Sequence, residues 1–167
     1  AEFNREKWRP RMNEDYFDVH VPEDQYGFSK YLMTKHAMVC DNIYNLRLFG
    51  LFGEYDDWRY RFIPNVCCHA ALDMPIYIER NAAKDYLYIN DLAMVIKWVI
   101  DGDPKNKIYN VCTGKAQDHK SLANRIVEIS SKKLNIFIKN EKISMEYSGD
   151  NSLLLNEMKD LSFTHLN

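Results

Sequence analysis

Residues 42–49, Asn-Ile-Tyr-Asn-Leu-Arg-Leu-Phe, form a short apolar run that follows a helical stretch and ends at Gly50 and Gly53. Helix, strand and glycine-bearing turn in that order are the grammar of an α/β sheet. Such sheets bind ligands beyond the carboxyl ends of their strands, so Gly50-Leu51-Phe52-Gly53 is a candidate site edge. The alternation continues along the chain. Phe62 to Leu72 reads as a helix, Ile76-Tyr77-Ile78 as a strand after Pro75, and Asp85 to Ile89 as one alternating strand. Leu92, Val95, Ile96 and Val99 give Asp91 to Asp101 the period of an amphipathic helix, stopped by Gly102 and Pro104. Ile108 to Val111 and Asn135 to Lys139 read as strands, with Thr113-Gly114 leading into a loop. Ser121 reads as the N-cap of a helix reaching Ser130, and Asn151 to Met158 as a terminal helix. With 46% apolar residues, 167 residues suit one domain with its own core.

Acidic and turn residues between Glu14 and Asp24 supply the start of the first helix, which is expected to run to Asp41. At its head stands Tyr26-Gly27-Phe28-Ser29-Lys30. Residues four apart on a helix share a face, so this phenol and ammonium are aimed at one spot. A phenol is a poor base at neutral pH, and a neighbouring ammonium favours the phenolate, which suits such a pair to moving a proton. The same spacing recurs one turn on at Tyr31 and Lys35, so spacing alone does not choose between them. Gly27 and Ser29 are small, which leaves room for a flat ligand beside the first pair.

A net charge of -2 gives no global electrostatic case for nucleic acid. Arg5, Lys7, Arg9 and Arg11 surround Trp8, a run that reads as a solvated loop because no second basic stripe accompanies it. No apolar run approaches the length of a membrane span, and no signal-peptide core is visible. Cys40, Cys67, Cys68 and Cys112 show no framework spacing; they read as small core thiols of a reduced, cytoplasmic protein. Cys67-Cys68-His69 lacks the second spaced pair that structural zinc requires, so no metal is expected. The opening Ala1-Glu2-Phe3, without methionine, reads as a processed, engineered or truncated start.

Four motifs then occur in a telling order: Tyr26-Gly27-Phe28-Ser29-Lys30, Leu46 to Gly53, Lys84-Asp85-Tyr86-Leu87-Tyr88-Ile89-Asn90-Asp91-Leu92, and Tyr109-Asn110-Val111-Cys112-Thr113-Gly114. Together they resemble the extended short-chain dehydrogenase/reductases, and within them the NAD-dependent sugar-nucleotide epimerase/dehydratase branch. The resemblance covers nearly the whole chain and favours Tyr26 over Tyr31. It implies the C-terminal part of a Rossmann-type parallel sheet (1–53 and 85–115) with a small α/β substrate-binding region (54–84 and 116–167). It further implies that Tyr26 exchanges a proton with a sugar hydroxyl while hydride passes to or from the nicotinamide of NAD or NADP. Lys30 matches the lysine that activates the tyrosine and bonds the nicotinamide ribose, and Leu48 falls where backbone contacts the nicotinamide end. The implied substrate is a nucleotide-linked sugar. A homodimer through the Tyr26 helix is implied as well, with Met33, Met38 and Val39 facing outward.

The departures are specific. Gly50 stands where many relatives carry an asparagine that holds the substrate. Lys84 stands where many carry a diphosphate-binding arginine; it keeps the charge and loses the bidentate fork, and Arg80 lies nearby. None of the six glycines forms the glycine-rich turn that cradles a dinucleotide pyrophosphate. The catalytic serine or threonine normally precedes the tyrosine, and Ala1-Glu2-Phe3 resembles the segment immediately after that residue. The chain thus resembles the second half of such an enzyme, with a strand edge and an apolar face expected to be exposed. Two readings are open. The parent acts on nucleotide-linked sugars, or this chain is a non-catalytic fragment or a nucleotide-sugar or protein-binding module.

Overall fold

A computed structural model describes residues 2–164, so the reading of Ala1 lies outside the described residues. The first helix, α1 (Gln25–Met38), starts at Asp24, whose carboxylate accepts the Gly27 N–H at 2.9 Å. It buries Gly27, Tyr31, Thr34 and Ala37 on one face. It ends three residues earlier than the sequence suggests. Val39 leaves the helical region at ψ 1° and donates its N–H to the His36 carbonyl, closing the last turn tightly.

Strands β1 (Asn45–Leu48) and β2 (Leu51–Phe52) flank Gly50; helix α2 (Phe62–Ala71) and strand β3 (Ile76–Ile78) follow. The stretch read as a single strand from Asp85 to Ile89 is two: β4 (Ala83–Asp85) and β5 (Leu87–Tyr88), and helix α3 (Ile89–Asp101) begins at once. The break has a cause in Asp85. Its fully buried carboxylate accepts the Thr113 and Gly114 N–H groups and the Thr113 hydroxyl, fixing the chain where it changes partners. Then come β6 (Ile108–Val111), β7 (Ala116–Asp118), α4 (His119–Ser130), β8 (Ile136–Ile138) and α5 (Ser152–Glu157). β7 replaces the expected loop; Ala-Gln-Asp carries no apolar alternation to announce it. The N-cap of α4 is Asp118, not Ser121, whose N–H and hydroxyl both donate to the Asp118 carboxylate.

β1 pairs with β6, β2 with β5 and β3 with β8, all parallel; β4 pairs antiparallel with β7. The α/β class with parallel pairing is therefore as the alternation of elements requires. One core cluster joins Leu87, Leu92, Val95, Tyr109, Val111 and Leu154 beneath α3 and α5. A second gathers Phe3, Met12, Phe17, Tyr31, Phe49, Cys112 and Tyr147. It draws in the apolar residues of the N-terminal basic run, with Met12 fully buried and the Trp8 ring 4.2 Å from that of Tyr147, while Arg5, Lys7, Arg9 and Arg11 are exposed as expected. Arg47 is buried between the Phe3 and Phe17 rings and ion-paired to Glu2. Of the four thiols only Cys112 is buried, while Cys67 is exposed, so the core reading holds for one of them.

Each described strand, β1 included, is paired with one other strand only. Beside β1, α1 exposes Phe28 (43%), Leu32 (50%) and Met33 (63%), so this helix is apolar on both faces. No described helix is long and apolar enough to cross a membrane.

Candidate active site

Two clefts flank the carboxyl end of β1. The smaller, about 380 Å³, lies between α1 and β1 and is lined by Tyr26, Lys30, Met33, Thr34, Arg47 and Leu48 among others. Tyr26 is 59% exposed, and the Lys30 ammonium lies 5.7 Å from its ring centroid. Ser29 turns its hydroxyl back to the Tyr26 carbonyl at 2.8 Å, and Gly27 sits in the buried face.

The second tyrosine–lysine pair is committed elsewhere. Tyr31 is buried, stacked 5.0 Å from Phe17, and donates its hydroxyl to Asp18. Lys35 pairs with the same carboxylate at 2.8 Å, and these two hydrogen bonds hold Asp18 below the usual carboxylate range. Identical spacing thus gives one pair facing a cleft and one tied to the loop before the helix.

The larger cleft, about 980 Å³, holds Gly50, Arg80 and Lys84 and also Arg5, Arg61, Tyr86 and His119. Lys84 is half-buried and has no acidic partner among the described residues; burial, then the positive charges of Arg61 and Arg5, lower its pKa. Those two guanidiniums have carboxylate partners, in long ion pairs at 4.0 Å for Arg5–Asp24 and 3.8 Å for Arg61–Asp56. Lys84 is thus a cation without a carboxylate partner among the described residues, set in the cleft beside the ion-paired Arg5 and Arg61. Sequence reasoning found Lys84 and Arg80 and missed Arg5, Arg61, Tyr86 and His119.

Gly50 is required by its surroundings. A Cβ there would lie 2.6 Å from the Asp85 carbonyl oxygen and 3.2 Å from the Tyr86 ring. An asparagine therefore does not fit unless the end of β4 moves. The two clefts share Phe49 and Tyr147, whose rings lie 4.9 Å apart, so the predicted cofactor end and the predicted substrate end meet at this pair. Among the described residues no group of three or more His, Cys, Asp or Glu side chains is placed to hold a metal ion. His69 contacts the Pro75 carbonyl at 2.7 Å.

The model of the NAD dependent epimerase/dehydratase family matches residues 7–112. The chain belongs to that family. It is 25% identical over 121 residues to the ADP-L-glycero-D-manno-heptose-6-epimerase of Nitratidesulfovibrio vulgaris, a match covering 63% of this chain and 37% of that enzyme. Among solved structures it is similar to Bordetella bronchiseptica WbmG in complex with NAD and UDP, with TM-score 0.72 and 16% identity, covering 89% of this chain and 49% of that one. It is similar also to Thermotoga maritima UDP-glucose 4-epimerase with UDP-glucose (TM-score 0.71, 18% identity, 88% and 50% covered). The dTDP-glucose 4,6-dehydratase of Bacillus anthracis in complex with NAD gives 0.70 at 17% identity, with 86% and 49% covered. At these identities the structural likeness establishes the shared Rossmann-type fold. This family member spans 37% of the curated relative and about half of each solved one.

Proposed function

We propose that the parent of this chain is an NAD(P)-dependent epimerase, dehydratase or reductase of a nucleotide-linked sugar, with Tyr26 and Lys30 as its acid/base pair. The observation that carries this reading is the meeting of the two clefts. The exposed phenol and its lysine line one, Lys84 without an acidic partner among the described residues lines the other beside the ion-paired Arg5 and Arg61, and Phe49 and Tyr147 wall both. NAD(P), when bound, accepts and returns hydride. Tyr26 passes a proton at its phenolic oxygen, and the Lys30 ammonium stabilises negative charge there and bonds the ribose. Leu48 offers its backbone at the nicotinamide end. Lys84 and Arg80, with Arg5 and Arg61, bind the diphosphate, and Gly50 leaves the sugar side of the cleft open. Segments 1–53 and 85–115 carry the Rossmann-type strand pairs β1–β6 and β2–β5, and 54–84 with 116–167 form the substrate part. We place the parent in the cytoplasm, as a dimer through α1.

Tyr26→Phe in the full-length parent is expected to lower kcat at least about a hundredfold, the typical contribution of a positioned acid/base; unchanged turnover overturns the assignment. A second reading, that these 167 residues alone are a binding module, is favoured by a separate observation. Among the described glycines only Gly114 has positive φ, and its N–H is taken by Asp85. No glycine-rich backbone is therefore free to cradle a pyrophosphate. Calorimetric titration of the chain with NADH decides this: tight binding excludes the module.

A further inference from the structure

Tyr86 and His119 line the large cleft beside Lys84, and nothing in the proposed chemistry uses them. Their hydrogen bonds fix where each proton sits. A carbonyl only accepts, so the 3.2 Å contact between His119 Nδ1 and the Arg80 carbonyl places a proton on Nδ1. Nε2 of the neutral ring is then an acceptor, and the Tyr86 hydroxyl donates to it at 2.9 Å. Phe62 stacks on the imidazole at 3.8 Å and 10°, locking its plane. The groups facing this ring are Lys84 from β4, Asp118 from the cap of its own helix, the Arg80 carbonyl from the turn after β3, and Tyr86, itself near Arg61. His119 is also the first residue of α4, where the helix dipole opposes positive charge. Burial and Lys84 hold its pKa down at about 4, so in the free chain the Tyr86 proton is turned to the imidazole at neutral pH.

We propose that an anion bound beside Lys84 brings one proton onto His119 and thereby turns the Tyr86 hydroxyl from His119 to the ligand. The proton comes from solvent and bonds to Nε2. That new N–H donates to the Tyr86 oxygen, whose own O–H swings into the cleft as a donor. No bond of Tyr86 is broken. An opposite charge within hydrogen-bonding range of a titrating group favours its charged form by roughly one to three pH units, which carries His119 into the range of mildly acidic to neutral pH. The pair is thus a positioning device: it supplies a hydrogen-bond donor to an anionic ligand and withholds it from an empty cleft. This rests on the diphosphate-binding reading of Lys84, and the test separates the two.

The measurement is an NMR pH titration of the His119 ring in the 167-residue chain, without ligand and with saturating UDP, the resonance being assigned by its loss in His119→Gln. The midpoint is expected near 4 without ligand and above about 5.5 with UDP. Lys84→Ala is expected to raise the midpoint with no ligand present. Tyr86→Phe is expected to keep the UDP-induced rise and to weaken UDP binding about tenfold to a hundredfold, the worth of a hydrogen bond to a charged group. UDP binding that depends on Lys84 while the His119 midpoint stays near 4 overturns the proton switch and leaves the diphosphate site standing. Equal UDP affinity in Tyr86→Phe overturns the role of the hydroxyl. Absence of UDP binding, or binding indifferent to Lys84→Ala, overturns the diphosphate reading and the switch with it.

Discussion

A single hydrogen in place of a methyl group decides the geometry at position 50. The Asp85 carbonyl that a Cβ would meet belongs to a residue whose carboxylate is held by three donors, so it has no room to retreat. Gly50→Ala is expected to lower unfolding stability by about 1–3 kcal/mol, the usual range for overpacking, as read from urea titration. Unchanged stability shows that the end of β4 yields freely. The sequence exposes this position as a departure from an asparagine pattern, and only packing explains it. The same holds across the site. Among the residues lining the two clefts, Tyr26, Lys30, Leu48, Gly50 and Lys84 stand inside ordered motifs. Arg5, Arg61 and His119 reach the large cleft from three separate segments, and no local spacing connects them.

Helices and strands with one buried face were readable from period alone: β3, with Ile76 and Ile78 buried and Tyr77 exposed, and α3, with Leu92 and Val95 inward. Where side-chain chemistry overrides period, reading fails. Asp85 to Ile89 alternates like one strand, yet the Asp85 carboxylate network divides it. At α4 the cap is one turn earlier than expected because Asp118 takes both the N–H and the hydroxyl of Ser121. Asp118→Ala is expected to destabilise the chain by about 1 kcal/mol, seen as a lower denaturation midpoint. Ser121→Ala, which leaves the cap's backbone bond intact, is expected to have the smaller effect. Equal effects overturn the assignment of the cap.

For the molecule as a whole, the apolar outer face of α1 predicts self-association. Light scattering across a concentration series is expected to approach twice 19.8 kDa, and Leu32→Glu with Met33→Glu to hold the chain at the single-chain mass. Monomer at every concentration in the unaltered chain overturns the α1 interface. Fold class was legible because helix and strand alternate; pairing order was not, because it is set by contacts far apart in the chain. Asn45 faces Ile108 and Ile76 faces Ile136. Each of these parallel pairs closes a long loop before any ladder bond offsets the lost chain entropy. Helices form on faster timescales than such long-range pairings. The apolar triplets Ile76–Ile78 and Ile136–Ile138 are therefore the segments expected to associate between chains when refolding is attempted at high concentration.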